Sequence, residues 1–186
     1  MVFEAITLVL ALAAMALIGV GTIRTGVPPL PTSPGVRRTM MAMLPNQVTG
    51  VIAELGSGWG GLASALAGRY PECQVIGYEL SPLPYWVARA RQGLWPRANL
   101  EFRRADFMAA ELSNVGLVVC YLYPGRMTEL ATKLRDELKP GTPVLSNFFA
   151  LPHWQPVETR AAPDFWSSPV YLYAAAPDPP PQEPRP

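Results

Sequence analysis

The stretch VIAELGSGWGGLASALAGRYPECQVIGYELSP, from Val51 to Pro82, decides the fold. A β-branched, apolar run ends at Leu55, a glycine-rich turn follows, and a helix-forming segment runs to Tyr70. A second apolar run then leads to Glu79. Gly56, Gly58 and Gly61 satisfy the G-x-G-x-x-G spacing, which many nucleotide folds share. Glycines there let the chain turn tightly and approach a ligand with no Cβ in the way.

Outward from this unit the pattern keeps alternating. "PYWVARARQGLW" (84–95) predicts a helix with Trp86, Ala90 and Leu94 on one face, with Trp86 and Trp95 as core residues. "LEFRRAD" (100–106) has the period of a strand, with Arg103 and Arg104 on a solvated face, and "VGLVVCYLY" (115–123) reads as a central strand buried on both faces. "RMTELATKLRDELKPG" (126–141) is an amphipathic helix with Met127, Leu130, Leu134 and Leu138 inward, a Glu129–Lys133 pair outward, and Gly141 closing it. "TPVLSNFF" (142–149) is a fifth strand; "QPVETRA" (155–161) and "SPVYLYAAA" (168–176) predict an antiparallel closing pair. Strands alternating with helices imply an α/β domain, a mostly parallel sheet with helices on both faces, and a ligand site beyond the strands' carboxyl ends.

Composition narrows the function. A net charge of +1 gives no electrostatic footprint for nucleic acid. Cys73 and Cys120 lie in strand-like contexts and read as buried thiols. A single histidine, His153, rules out a histidine-rich metal centre.

The two ends differ from the middle. Residues 5–23, "AITLVLALAAMALIGVGTI", carry no charge, and as a helix they span roughly 28 Å. A hydrocarbon core is about 30 Å thick, so the run predicts a transmembrane helix. A signal peptide and a buried core helix are the alternatives, but neither a basic start with a cleavage site nor a polar stripe is present. Arg24, Arg37 and Arg38 follow the run and nothing basic precedes it, which places the remainder on the cytoplasmic side of a single-pass protein. The arginine-free start is unlike a transit peptide, so a bacterial cytoplasmic membrane is expected. Residues 177–186, "PDPPPQEPRP", read as an extended tail, either inert or a site for a partner module.

Acids decide which nucleotide is held. Glu54 precedes the glycines, giving E-x-G-x-G-x-G with Gly60. Negative charge there is wrong for a pyrophosphate and right for a ligand carrying a sulfonium and an ammonium. Glu79 ends the second strand, placed for ribose hydroxyls, and Asp106 follows the third, where an adenine N6 donor is met. On these residues and the closing strands, the chain resembles the class I S-adenosylmethionine-dependent methyltransferases from Val51 to about Ala175. That resemblance implies a Rossmann-like, seven-stranded sheet over residues 28–176.

"PPLPTSP", "GVRRTMMAML", "ELGSGWG", "GYELSP" and "LPHWQPV" carry a narrower resemblance. They are similar to the membrane-anchored mitochondrial protein-lysine methyltransferases of the adenine nucleotide translocase and ATP synthase c-subunit type, and to their bacterial relatives. Two positions depart from that pattern: Trp59 stands where the loop usually has an acid, and Asn147 where the fifth strand has a basic residue. The resemblance implies S-adenosyl-L-methionine as cofactor. It would be held at its amino-acid end by Glu54 with Gly56, Ser57 and Gly58, at its ribose by Glu79, and at its adenine by Asp106, with Leu80 and Phe107 flanking the two acids. A lysine of a membrane protein would be the methyl acceptor. Tyr121 and Tyr123 would line its channel, or serve as core and rim aromatics; Pro152, His153 and Trp154 would form the other wall, or His153 would pack or cap. A membrane-soluble small molecule as acceptor, and a tethered binding module without turnover, are the competing readings.

Overall fold

The computed structural model describes residues 32–176 throughout and, ahead of them, residues 2, 4–9, 15 and 19. Most of the apolar run at 5–23 and all of the tail at 177–186 lie outside the described residues. Residues 4–9, 15 and 19 are helical; among the described residues no helix is long and apolar enough to cross a membrane.

Seven strands make one sheet: β1 (Val51–Leu55), β2 (Gln74–Tyr78), β3 (Leu100–Arg103), β4 (Val115–Cys120), β5 (Pro143–Asn147), β6 (Glu158–Ala161) and β7 (Pro169–Ala174). Within residues 32–176, helix α1 (Pro34–Met43) precedes β1, and α2 (Gly61–Arg69), α3 (Pro82–Leu94) and α4 (Pro124–Glu137) join strands. The sheet order is β3-β2-β1-β4-β5-β7-β6. Strands β1 to β5 run parallel, and β7 lies antiparallel between β5 and β6. Chain order reverses between β1 and β4, so their carboxyl ends form the crevice where such sheets take ligands.

Burial follows the pleat. Ile52, Val119 and Leu145 face α1, α2 and α3, whereas Ala53, Val118 and Val144 face α4. Ser33 caps α1 by accepting the Val36 N–H at 3.2 Å, with Pro34 in the first turn. Asn99 clasps α2 to the sheet, its amide donating to the carbonyls of Ala67, Tyr70 and Cys73.

Three local expectations are corrected. Trp86, Ala90 and Leu94 do share a face of α3, but it points to solvent, and Trp95 is exposed as well. The inward face is Pro84 and Ala88, because a Cβ on Gly60 would sit 2.8 Å from the Ala88 Cβ, a gap too close for larger side chains. Helix α4 ends at Glu137 with Leu138 as its cap, and Gly141 lies beyond Pro140, donating its N–H to the Ala175 carbonyl. Lys133 pairs with Glu137 at 2.5 Å, and Glu129 lies 3.9 Å from Arg126 instead.

Candidate active site

The loop after β1 is shaped by close approach. Gly56 has φ 78°, and a Cβ there would meet the Leu122 side chain at 2.8 Å. Gly60 has φ 75°, and a Cβ there would lie 2.6 Å from the Phe102 ring, so only glycine lets the loop approach the sheet this closely before it turns into α2. Gly56 and Ser57 both donate to the Tyr78 carbonyl, at 3.0 and 2.8 Å, which ties the loop across to the end of β2.

Under this loop sits a narrow cavity of about 140 Å³, lined by Glu54, Ser57, Trp59, Arg37, Arg91 and Tyr121 among others. Glu54 and Ser57 are buried, and Glu54 Oε2 and Ser57 Oγ have no hydrogen-bond partner. Burial holds the Glu54 carboxyl well above the usual carboxylate range; the Ala63 N–H opposes this, and the Glu79 charge adds to it. Buried acceptors without a partner are costly to the fold and mark a place where a donor belongs. A cationic ammonium is a donor of the kind these atoms lack, and its charge would favour the ionised form of Glu54. Arg37 and Arg91, at the cavity's lining, supply cations suited to a carboxylate on the same ligand.

Glu79 is also buried, and its carboxylate works on the chain itself. Oε2 accepts the Gly58 N–H at 2.8 Å, and Oε1 the Ser81 N–H at 2.7 Å. Each oxygen keeps a lone pair for a hydroxyl donor. Leu80 beside it is 40% exposed at the rim. Asp106 caps a short 3-10 turn (Phe107–Ala109), accepting the Met108 N–H at 2.9 Å. Arg126 of α4 donates one nitrogen to both Asp106 oxygens, at 2.9 and 3.0 Å, while its guanidinium lies 5.6 Å from the centre of the buried Phe107 ring. Arg126 thus orients the acid expected to meet adenine.

Around the ends of β4 and β5 the surface is aromatic. Tyr121 lines the cavity and stacks on Phe149 with centroids 6.5 Å apart; burial, and then the negative charge of Asp164, push its phenol up. Tyr123 caps α4 and is 43% exposed, packing over Gly125. Asn147, in register beyond the Cys120–Ser146 pair, is buried with its Oδ1 unpartnered. His153 and Trp154 go elsewhere. His153 is exposed in a turn with φ 62°. Trp154 packs into the α4 side of the core, its indole donating to the Ala131 carbonyl at 3.3 Å and meeting Tyr173 edge to face. Neither they nor Pro152 line the cavity.

A larger cleft of about 640 Å³ opens at the sheet's other edge, between Thr49, Asn114 and Thr142. It lies at the amino ends of the strands, away from the buried acids, and size alone does not make it the site. Cys73 and Cys120 are free and buried, as expected, and burial pushes Cys120 up to about 11. Among the described residues no three His, Cys, Asp or Glu side chains gather as metal ligands. Sequence reasoning misses Arg91, Arg126, Thr32 and the pocket role of Arg37, which the sequence shows only as a charge. Each is an ordinary helix or loop residue until the fold brings it to the crevice.

Comparison with known proteins agrees with this geometry. The chain is 30% identical over 132 residues to the ATP synthase c-subunit lysine N-methyltransferase of Xenopus laevis, covering 69% of this chain and 56% of that one. It thus spans little more than half of that relative's length. It is 28% identical over 151 residues to a protein-lysine N-methyltransferase of Saccharolobus islandicus, covering 79% and 92%. Among solved structures, an RNA methyltransferase from Salinibacter ruber in complex with S-adenosyl-L-homocysteine superposes with a TM-score of 0.71 at 29% identity, covering 83% of this chain and 98% of that one. The model of the ANTKMT methyltransferase domain matches residues 54–158, from the buried acid of β1 to the first residue of β6. That stretch holds the unpartnered acceptors of Glu54, Ser57 and Asn147, the glycine loop, Glu79 and the Asp106–Arg126 pair, and the chain belongs to the ANTKMT methyltransferase domain family.

Proposed function

We propose that this protein is an S-adenosyl-L-methionine-dependent methyltransferase acting on a lysine side chain of a membrane protein. The observation that carries the cofactor is the pair of buried, unpartnered acceptors, Glu54 Oε2 and Ser57 Oγ, under the glycine loop. They would hold the ammonium, with Arg37 and Arg91 toward the carboxylate, Glu79 toward the ribose, and Asp106, set by Arg126, toward the adenine. When bound, that cofactor supplies a methyl group on a cationic sulfur, open to in-line attack by a neutral amine.

The chain's own residues then have three tasks. They align the incoming amine, keep water out, and favour the neutral amine over the ammonium. Tyr121 and Phe149 exclude water from the edge of β4. The Tyr121 phenol, kept neutral, and the unpartnered Asn147 Oδ1 beside it are acceptors that fix the direction of an amine N–H. Partial burial disfavours the charged form of the lysine.

Lysine as the acceptor is supported by the names of the Xenopus and Saccharolobus relatives. The Salinibacter neighbour is described as an RNA methyltransferase, but a net charge of +1 gives RNA little to hold here. Attachment to the bacterial cytoplasmic membrane rests on the uncharged run at 5–23, which would confine enzyme and substrate to one surface and raise their effective concentration. Calorimetry with S-adenosylmethionine tests the cofactor, and Glu79→Ala must lower activity. Intact-mass comparison of membrane proteins from cells with and without the gene tests the acceptor. A methylated lysine missing from the deletion strain is expected, and unchanged masses throughout would refute it.

A further inference from the structure

The loop between β6 and β7 carries two aromatic side chains that nothing in the fold requires. Ser167 donates its N–H to the Asp164 carbonyl at 3.1 Å, which makes Phe165 and Trp166 the central residues of a tight turn. Such positions favour Gly, Asn, Asp and Ser. Here they hold a phenylalanine that is 91% exposed and a tryptophan that is 74% exposed, edge to face with centroids 5.0 Å apart. The turn is firmly built. The Asp164 carboxylate accepts the Ser168 N–H at 2.8 Å and the Ser168 hydroxyl at 2.6 Å, and the Ala162 N–H donates to the Ser168 carbonyl.

Its position is set by the sheet. Ala161 pairs with Pro169, and Val170 with Asn147, so the turn stands just beyond the carboxyl end of β5. On its inner side the Pro163 carbonyl lies against Gly35 in α1, and the Asp164 charge reaches Tyr121. Thr32, just ahead of α1, lines the cavity as well. Only residues 24–31 separate it from the uncharged run at 5–23, and a chain of that length reaches on the order of 30 Å fully extended. If that run crosses a bilayer, this edge of the domain cannot stand far from the lipid.

We propose that the Phe165–Trp166 turn sits in the interfacial layer of a lipid bilayer and holds the site's edge of the sheet against the membrane. Large aromatic rings with a polar handle settle at the headgroup level. This rests on the membrane part of the function proposed above and not on methyl transfer.

The test uses the full chain in vesicles of phosphatidylcholine and phosphatidylglycerol. Both native cysteines are buried, so a thiol-directed fluorophore reports a single introduced position. Trp166→Cys carries the probe at the turn, and Trp95→Cys is the control, an exposed aromatic at the far end of α3. At position 166 the emission should shift to the blue on reconstitution and lose most of its intensity to brominated lipid, while position 95 does neither. Equal, water-like emission at both positions overturns the proposal. A shift at 166 that appears only after a second membrane protein is added also overturns it, in favour of a protein partner. If the full chain does not float with vesicles, the membrane reading falls and this one with it. Binding of S-adenosylhomocysteine, measured by calorimetry on the same samples, tests the cofactor site separately.

Discussion

Glu54→Gln separates the charge of the buried acid from its shape. In the free protein the carboxyl is fully enclosed, held well above 4.5, with one oxygen unpartnered. Placing an ammonium on that oxygen favours the ionised form, so the group's pKa falls in the complex. Between the two values, binding must expel a proton, approaching one per ligand. Affinity for S-adenosylhomocysteine then rises about tenfold for each pH unit across that window and levels off above the free protein's value. The sign for stability is opposite. Because the folded pKa is raised, the unliganded protein loses up to about 1.4 kcal/mol per pH unit as pH rises from 4.5 toward the raised value. Glutamine keeps the volume and removes both slopes. It should also weaken binding roughly ten- to hundredfold at the upper end of the window, where a charge-assisted hydrogen bond of about 1.5–3 kcal/mol is lost. Calorimetry in two buffers of different ionisation enthalpy counts the protons directly. No proton release, or a Glu54→Gln variant with the wild-type pH slope, would refute the reasoning.

Arg126→Ala should weaken S-adenosylhomocysteine roughly two- to fivefold, the scale of a half-exposed ion pair, with Arg126→Lys recovering part of it in the same titration. Leu130→Ala, on the buried face of α4, should lower unfolding stability by about 2–5 kcal/mol in a denaturant melt. Gly60→Ala combines a φ of 75° with a clash against Phe102, and about 1–3 kcal/mol should be lost by the same assay. With Cys120 at about 11, roughly one thiol in a thousand is ionised near pH 8, so a thiol reagent should react only once the protein unfolds.

The strands and most helices were legible because their signals are local. Period, turn residues and buried runs all lie within short windows. Helix α3 shows where that ends. The stripe through Trp86 and Leu94 is real, but which stripe faces the sheet is decided by the distance to Gly60 and Phe102, and no window contains that distance. The site divides in the same way. Glu54, Ser57, Gly58 and Glu79 are brought together by a loop and its neighbouring strand, and the motif exposes them. Arg37, Arg91 and Arg126 come from three helices, and only the completed sheet gathers them. The packing of Trp154 is hidden for a related reason, since its neighbours along the chain reveal nothing of the Ala131 carbonyl to which its indole donates.

The insertion of β7 between β5 and β6 has a consequence for the order of assembly. Residues 169–174 are the last strand among the described residues, yet they pair along all of β5 and β6. Until they leave the ribosome, β5 is an open edge and β6 has no partner in the sheet. The glycine loop, tied to the end of β2, can form early, but α1, which brings Arg37 to the cavity, packs against β7 and waits for it. The edge that carries Asn147 and the turn at Phe165 waits for β7 as well. A chain still being made therefore shapes its glycine loop before the wall of the cavity at α1 is in place, and non-local pairing sets when the crevice is complete.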